Sequence, residues 1–142
     1  EEEPPFCLGS QSQGEEQTLT SLMDLAKEGV FIAQALVRRG GSCSRSLSCL
    51  AADHRRALRQ LSAAYFLITG QRYHPPTPSV VINASLPLAL RDQFVWEQRW
   101  ERANQQAAET TSDACLKELY QELAQDGVLH AATIRSLLEQ MG

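Results

Sequence analysis

The chain has 142 residues, 43% of them hydrophobic, and a formal net charge of −4. That is enough for one domain with a substantial core, and the mixed, mildly acidic balance excludes the basic footprint of a nucleic-acid binder or of a segment held on an anionic membrane surface. No apolar run approaches the roughly 20 residues that span a bilayer, because Arg, Asp, Glu or Gln interrupts every candidate helix, so a membrane partner is not expected either.

Residues 1–17 open with EEEPPFCLGSQSQGEE, a Glu-, Pro-, Gly- and Gln-rich stretch that offers little to a core; it reads as a flexible N-terminal segment ahead of one domain over 18–142. From Leu19 to Arg39 apolar residues recur three or four apart at Leu22, Leu25, Ile32 and Leu36, which predicts a helix stopped by Gly40-Gly41. A short connection over Ser42 to Ser46 leads to a second stripe, Leu47, Leu50, Leu58, Leu61, Tyr65 and Ile68, ending at Gly70. These two helices should form an antiparallel hairpin.

Gln71 to Ser85 hold Pro75, Pro76 and Pro78 and then Val80-Val81-Ile82, which is too long for a tight turn and too proline-rich for a helix. It reads as a crossover that climbs the height of a bundle, with Val80–Ile82 lying across its surface or forming a short extended edge. Helix 3 is predicted from Leu86 to Thr110. Thr111-Ser112-Asp113 then breaks the chain with N-cap chemistry, and helix 4 runs from Ala114 to Met141 on the stripe Leu116, Leu119, Leu123, Ile134, Leu137. The predicted class is all-α, a four-helix bundle with one long crossover between helices 2 and 3.

Every stripe is interrupted near its middle by residues that a plain core would not choose. Helix 1 carries Gly29, helix 2 His54 and Ala57, helix 3 Glu97 and Asn104, and helix 4 Gly127 and His130. Glycine inside a helix costs roughly 1 kcal/mol relative to alanine, and a buried Glu or His needs a partner. The strings LAADHRRA in helix 2 and LAQDGVLH in helix 4 also echo each other, each with L-A-x-D ahead of an anomalous position.

On LAADHRRALRQLSAAYFLITGQRY and ETTSDACLKELYQELAQDGVLHAATIRSLLEQM, the chain resembles the ferritin-like superfamily, and most closely its rubrerythrin-like branch, from about Thr18 to Met141. In such bundles a Glu from each of two helices and a Glu-x-x-His from each of the other two hold two metal ions. The resemblance puts Gly29 where helix 1 would supply its glutamate, with Glu28 adjacent. It puts His54 and Ala57 where helix 2 would supply Glu and His, keeps Glu97 in helix 3 with Asn104 replacing a tyrosine, and puts Gly127 and His130 where helix 4 would supply Glu and His. Most di-iron ligands are thus absent.

The resemblance therefore implies a degenerate ferritin-like protein without di-iron chemistry, a non-catalytic binding or assembly module, and a homodimer, since the family often pairs bundles. The expectation for cofactors is none, the alternative being a metal-binding redox protein with a single zinc or iron ion held by His54, Glu97 and His130. The bland reading of that trio is a hydrogen-bonded cluster. Asp53 and Asp126 lie one residue off their stripes and should be solvated or pair neighbouring helices. Gly29, Ala57 and Gly127 remove volume from one level, to be filled by Trp96, Trp100 or Phe31 or left as a cavity for a small ligand. Cys7, Cys43, Cys49 and Cys115 form no C-x-x-C pair. Cys43 and Cys49 flank a Ser-rich helix entry, where a local disulfide is the alternative to free thiols, and the expectation is reduced cysteines in a cytoplasmic setting.

Overall fold

The computed structural model describes residues 6–142, and within them it is all-helical. Helix α1 spans Glu16–Arg39, α2 Ser44–Thr69, α3 Leu86–Thr110 and α4 Ala114–Met141, with short 3-10 turns at Ser10–Glu15 and Gly41–Cys43. The bounds of α3 and α4 fall where the periodicity predicts them. Helices α1 and α2 each begin three residues earlier than predicted, because the preceding 3-10 turn feeds directly into the α-helix. Gly70 closes α2 in the left-handed conformation at φ 72°, its N–H bonded to the Phe66 carbonyl, and Pro87 sits in the first turn of α3, where its missing N–H costs nothing.

Apolar side chains gather at two levels. At one, Leu19 and Met23 of α1 meet Leu61 of α2, Trp100 of α3 and Tyr120 and Leu123 of α4. At the other, Leu36 of α1 meets Leu47 and Leu50 of α2, Leu90 of α3 and Ile134 and Leu137 of α4. The first level thus takes the N-terminal halves of α1 and α4 and the C-terminal halves of α2 and α3, so α2 and α3 run parallel while α1–α2 and α3–α4 are antiparallel hairpins. A 25-residue helix is about 37 Å long, and the 16 residues of 70–85 can reach about 53 Å or a little more when extended, so this connection can return the chain to the far end.

That return follows α1. Tyr73 donates its hydroxyl to Asp24 (2.8 Å), Lys27 reaches the Pro75 carbonyl (2.8 Å), and Arg39 holds the carbonyls of Ile82 (3.3 Å) and Ala84 (2.8 Å). Val80–Ile82 forms no strand; Ile82 packs on the core and Val81 faces outward. Of the two placements predicted, the one across the surface is the one adopted.

The N-terminal segment departs from its reading as flexible. Residues 1–5 lie outside the described residues, but 6–17 are docked on the bundle. Phe6 accepts the Ala114 N–H (2.9 Å), Leu8 donates its N–H to Asp113 (2.6 Å), and the buried Ser12 hydroxyl bonds the same carboxylate. Cys7 is joined to Cys115 by a disulfide, so these two are not the reduced thiols expected, while Cys43 and Cys49 are free and the local Cys43–Cys49 bridge does not form. Composition alone misread this stretch because its anchors are single polar atoms and one sulfur rather than an apolar stripe. No helix among the described residues is long and apolar enough to cross a membrane.

Candidate functional site

Between the two apolar levels lies a polar layer. His54 of α2, Glu97 of α3 and His130 of α4 come together there, the residues 1%, 0% and 5% exposed. His54 Nε2 is 2.7 Å from Glu97 Oε2, and His130 Nδ1 is 3.1 Å from Glu97 Oε1, so each carboxylate oxygen takes one imidazole. One ligand atom from each of the three residues lies within 4.8 Å of the others. The predicted trio is therefore assembled, each member supplied by a different helix.

Two further residues complete the layer. Gln93, one turn before Glu97 on α3 and buried, donates Nε2 to Glu97 Oε2 at 2.8 Å. Asp53 accepts from His130 Nε2 at 2.7 Å. One residue off its stripe, Asp53 is expected on the bundle's side as a solvated or helix-pairing charge. It is the pairing charge, tied also to Arg56 (3.3 Å), which in turn approaches Asp126 (3.8 Å). Gln93 is not among the residues expected from the sequence, although it shares the α3 stripe with Glu97, Trp100 and Asn104, and that spacing is the signal that could mark it.

The protons follow from the partners. His130 faces a Glu97 oxygen with one nitrogen and an Asp53 oxygen with the other, and because an ionised carboxylate can only accept, this arrangement favours hydrogen on both nitrogens, the imidazolium form. Burial pushes the His130 pKa down, but the hydrogen bonds and charges of Glu97 and Asp53 win and hold it above the ordinary histidine value. Burial likewise pushes Glu97 up, and the hydrogen bonds from His130 and His54 outweigh it and keep the carboxyl below its usual range. A buried ion pair results, satisfied from both sides.

Around this layer, volume has been redistributed. A Cβ added to Gly29 would stand 2.5 Å from the Trp96 ring, so the indole occupies the space that a side chain on α1 would take. Trp96 stacks on Trp100 with centroids 6.0 Å apart and an interplanar angle of 10°, and both lie nearly perpendicular to the His54 ring in T-shaped contacts at 5.0 and 5.7 Å. Trp96 also donates its indole N–H to Glu28 at 2.7 Å, and this part-exposed carboxylate is not one of the converging ligand groups. On the other flank, a Cβ on Gly127 would meet Glu101 Cβ at 3.0 Å and the Glu97 carbonyl at 3.1 Å, so the missing side chain lets α4 lie close against α3.

The arrangement does not fit two metal ions. A di-metal centre needs several carboxylates to neutralise its cations in a low-dielectric interior, and among the described residues Glu97 is the one carboxylate hydrogen-bonded to both histidines. The neighbouring volume belongs to Trp96. One ion is a different matter, because two imidazole nitrogens and a carboxylate oxygen already converge. Compared with known proteins, the chain matches no family model, no curated protein and no solved structure.

Proposed function

We propose that this chain is a ferritin-like bundle of rubrerythrin type that has lost its di-iron centre and serves, as a homodimer, as a non-catalytic binding or assembly module. The observation that carries the reading is the pairing of Gly29 with Trp96. A position where the resemblance implies a metal-binding glutamate holds no side chain, and an indole fills the space. Parallel α2 and α3, joined by a long crossover along α1, support the same relationship, since ferritin-like bundles carry one such connection. The Cys7–Cys115 disulfide favours an oxidising compartment over the cytoplasm, where thiols are kept reduced.

Anaerobic loading with Fe(II) followed by exposure to air tests the loss of di-iron chemistry. The expected result is no more than one iron per chain and oxidation no faster than in buffer. Two irons per chain with rapid oxidation would overturn the reading.

A second reading is favoured by a specific observation, the convergence of His54, Glu97 and His130 within 4.8 Å. In it the layer holds a single zinc or iron ion, and Asp53 orients His130 from behind, as carboxylates do for metal-bound imidazoles. Elemental analysis of protein purified without chelators decides it. One equivalent of metal, lost in His54→Ala and in His130→Ala, is the supporting result, and near-zero metal is the opposing one.

A further inference from the structure

We infer that the polar layer is a closed, four-ligand structural site for one divalent cation of the zinc type, in which Gln93 supplies the fourth donor through its side-chain carbonyl. The inference rests on the single-ion reading above and adds to it the missing ligand, the coordination number and the role of the ion.

Gln93 is 1% exposed, and its Oε1 is one of three side-chain atoms among the described residues that are buried without a hydrogen-bond partner. The other two belong to Asn104 and Tyr120, whereas Gln93 sits in the layer itself. Its Nε2 and His54 Nε2 meet the same oxygen, Glu97 Oε2, at 2.8 and 2.7 Å, so the amide and the imidazole flank one point. The two ends of a glutamine amide have nearly the same shape, and a half-turn of the amide exchanges them. With no cation, the amide must offer N–H to the carboxylate, which leaves the buried carbonyl without a protein partner, at a cost in stability. With a cation beside Glu97, the carbonyl turns inward and the stranded acceptor finds its partner.

Four donors then stand together: His54 Nε2, His130 Nδ1, a Glu97 oxygen and Gln93 Oε1. His130 is left its Nδ1 for the metal because its Nε2 is engaged by Asp53 at 2.7 Å. Glu97 and Asp53 carry two negative charges, which one divalent ion balances when both imidazoles are neutral. Two nitrogens and two oxygens suit zinc and disfavour magnesium or calcium, which take oxygen shells. None of the three ligands from the trio is more than 5% exposed, so no coordination position opens to a substrate and the ion is structural. It would tie α2, α3 and α4 at the level that separates the two apolar cores.

The test is zinc titration of the chelator-treated full chain against a chromophoric competitor, with helical content checked by circular dichroism. One zinc per chain is expected. Gln93→Leu should weaken binding at least about tenfold, the lower end of what loss of even an outer-shell partner costs, and Gln93→Glu should restore it. Cobalt(II) in place of zinc should give the intense visible bands of four-coordination in the unmodified protein and weaker bands in Gln93→Leu. Absence of zinc binding in the unmodified protein would sink the single-ion reading and this inference together. One zinc bound equally well by unmodified protein and Gln93→Leu would remove Gln93 and leave a three-ligand site. Should Gln93→Leu fail to fold, weak cobalt bands in the unmodified protein would by themselves exclude four-coordination.

Discussion

Two buried carboxylates organise this molecule, Glu97 in the middle of the bundle and Asp113 at its end, and they are held in opposite ways. Glu97 accepts from His54, His130 and Gln93, all side chains on long helices. Asp113 accepts from the backbone N–H groups of Leu8, Cys115 and Leu116 and from the Ser12 hydroxyl. Burial raises both pKa values, and the donors more than reverse it, leaving both carboxyls below their usual range. Backbone donors neither titrate nor leave, so the Asp113 clasp is a fixture, while the imidazoles and the amide around Glu97 can exchange protons and orientation. The first arrangement builds a joint and the second a site.

The sharpest way to break the comparison is to remove Glu97. In metal-free protein, Glu97→Ala should cost about 3–5 kcal/mol, because it withdraws one of the two carboxylates that balance a buried imidazolium. The urea unfolding midpoint measures it, and a loss below about 1 kcal/mol would mean that His130 is not charged in the fold. Next comes the clasp. Cys7→Ser removes a cross-link that spans 108 residues and should cost about 2–5 kcal/mol, in a shift reproduced by adding reductant to the unmodified protein. If neither changes the midpoint, the N-terminal segment is not part of the folded unit.

Gly29→Ala should cost about 1–3 kcal/mol, since its Cβ would meet the Trp96 ring at 2.5 Å and the indole is held by its stacking on Trp100. Near-ultraviolet circular dichroism of the two tryptophans should change with it, and an unchanged spectrum at unchanged stability would refute the filled-space reading. The smallest effect belongs to Asp113→Ala, about 1–2 kcal/mol for a lost helix cap. Here pH adds a signature. A carboxyl whose folded pKa is depressed contributes stability that is complete above its unfolded value of about 3.9 and disappears as pH falls through the folded value. The unmodified protein should therefore lose more stability than Asp113→Asn between pH 6 and pH 3, and equal losses would remove the clasp's electrostatic role.

Much of this was readable in the chain. Apolar residues three and four apart marked four helices, and Gly70, the Pro75–Pro78 run and Asp113 punctuated them, because these signals act within one or two turns of their own position. His54, Glu97 and His130 stood out for the same reason, as polar residues on apolar stripes. Asp53 did not stand out, since one residue is about 100° of helix and its reach to His130 depends on how closely α2 and α4 lie. Gln93 was hidden by being uncharged. Cys7 was hidden by its surroundings, because nothing in a Glu- and Pro-rich stretch announces a partner 108 residues away.

By itself, the sequence determined the helices, their order, the long crossover and the three residues at the centre, all consequences of periodicity and local backbone chemistry. Tertiary structure decided which atoms meet: Asp53 behind His130, the amide of Gln93 beside His54 on one Glu97 oxygen, Trp96 against Gly29, and the N-terminal segment locked to α4. Those contacts turn on differences of an ångström or less in how helices rotate and approach. That scale belongs to packing among distant residues, which no local pattern records.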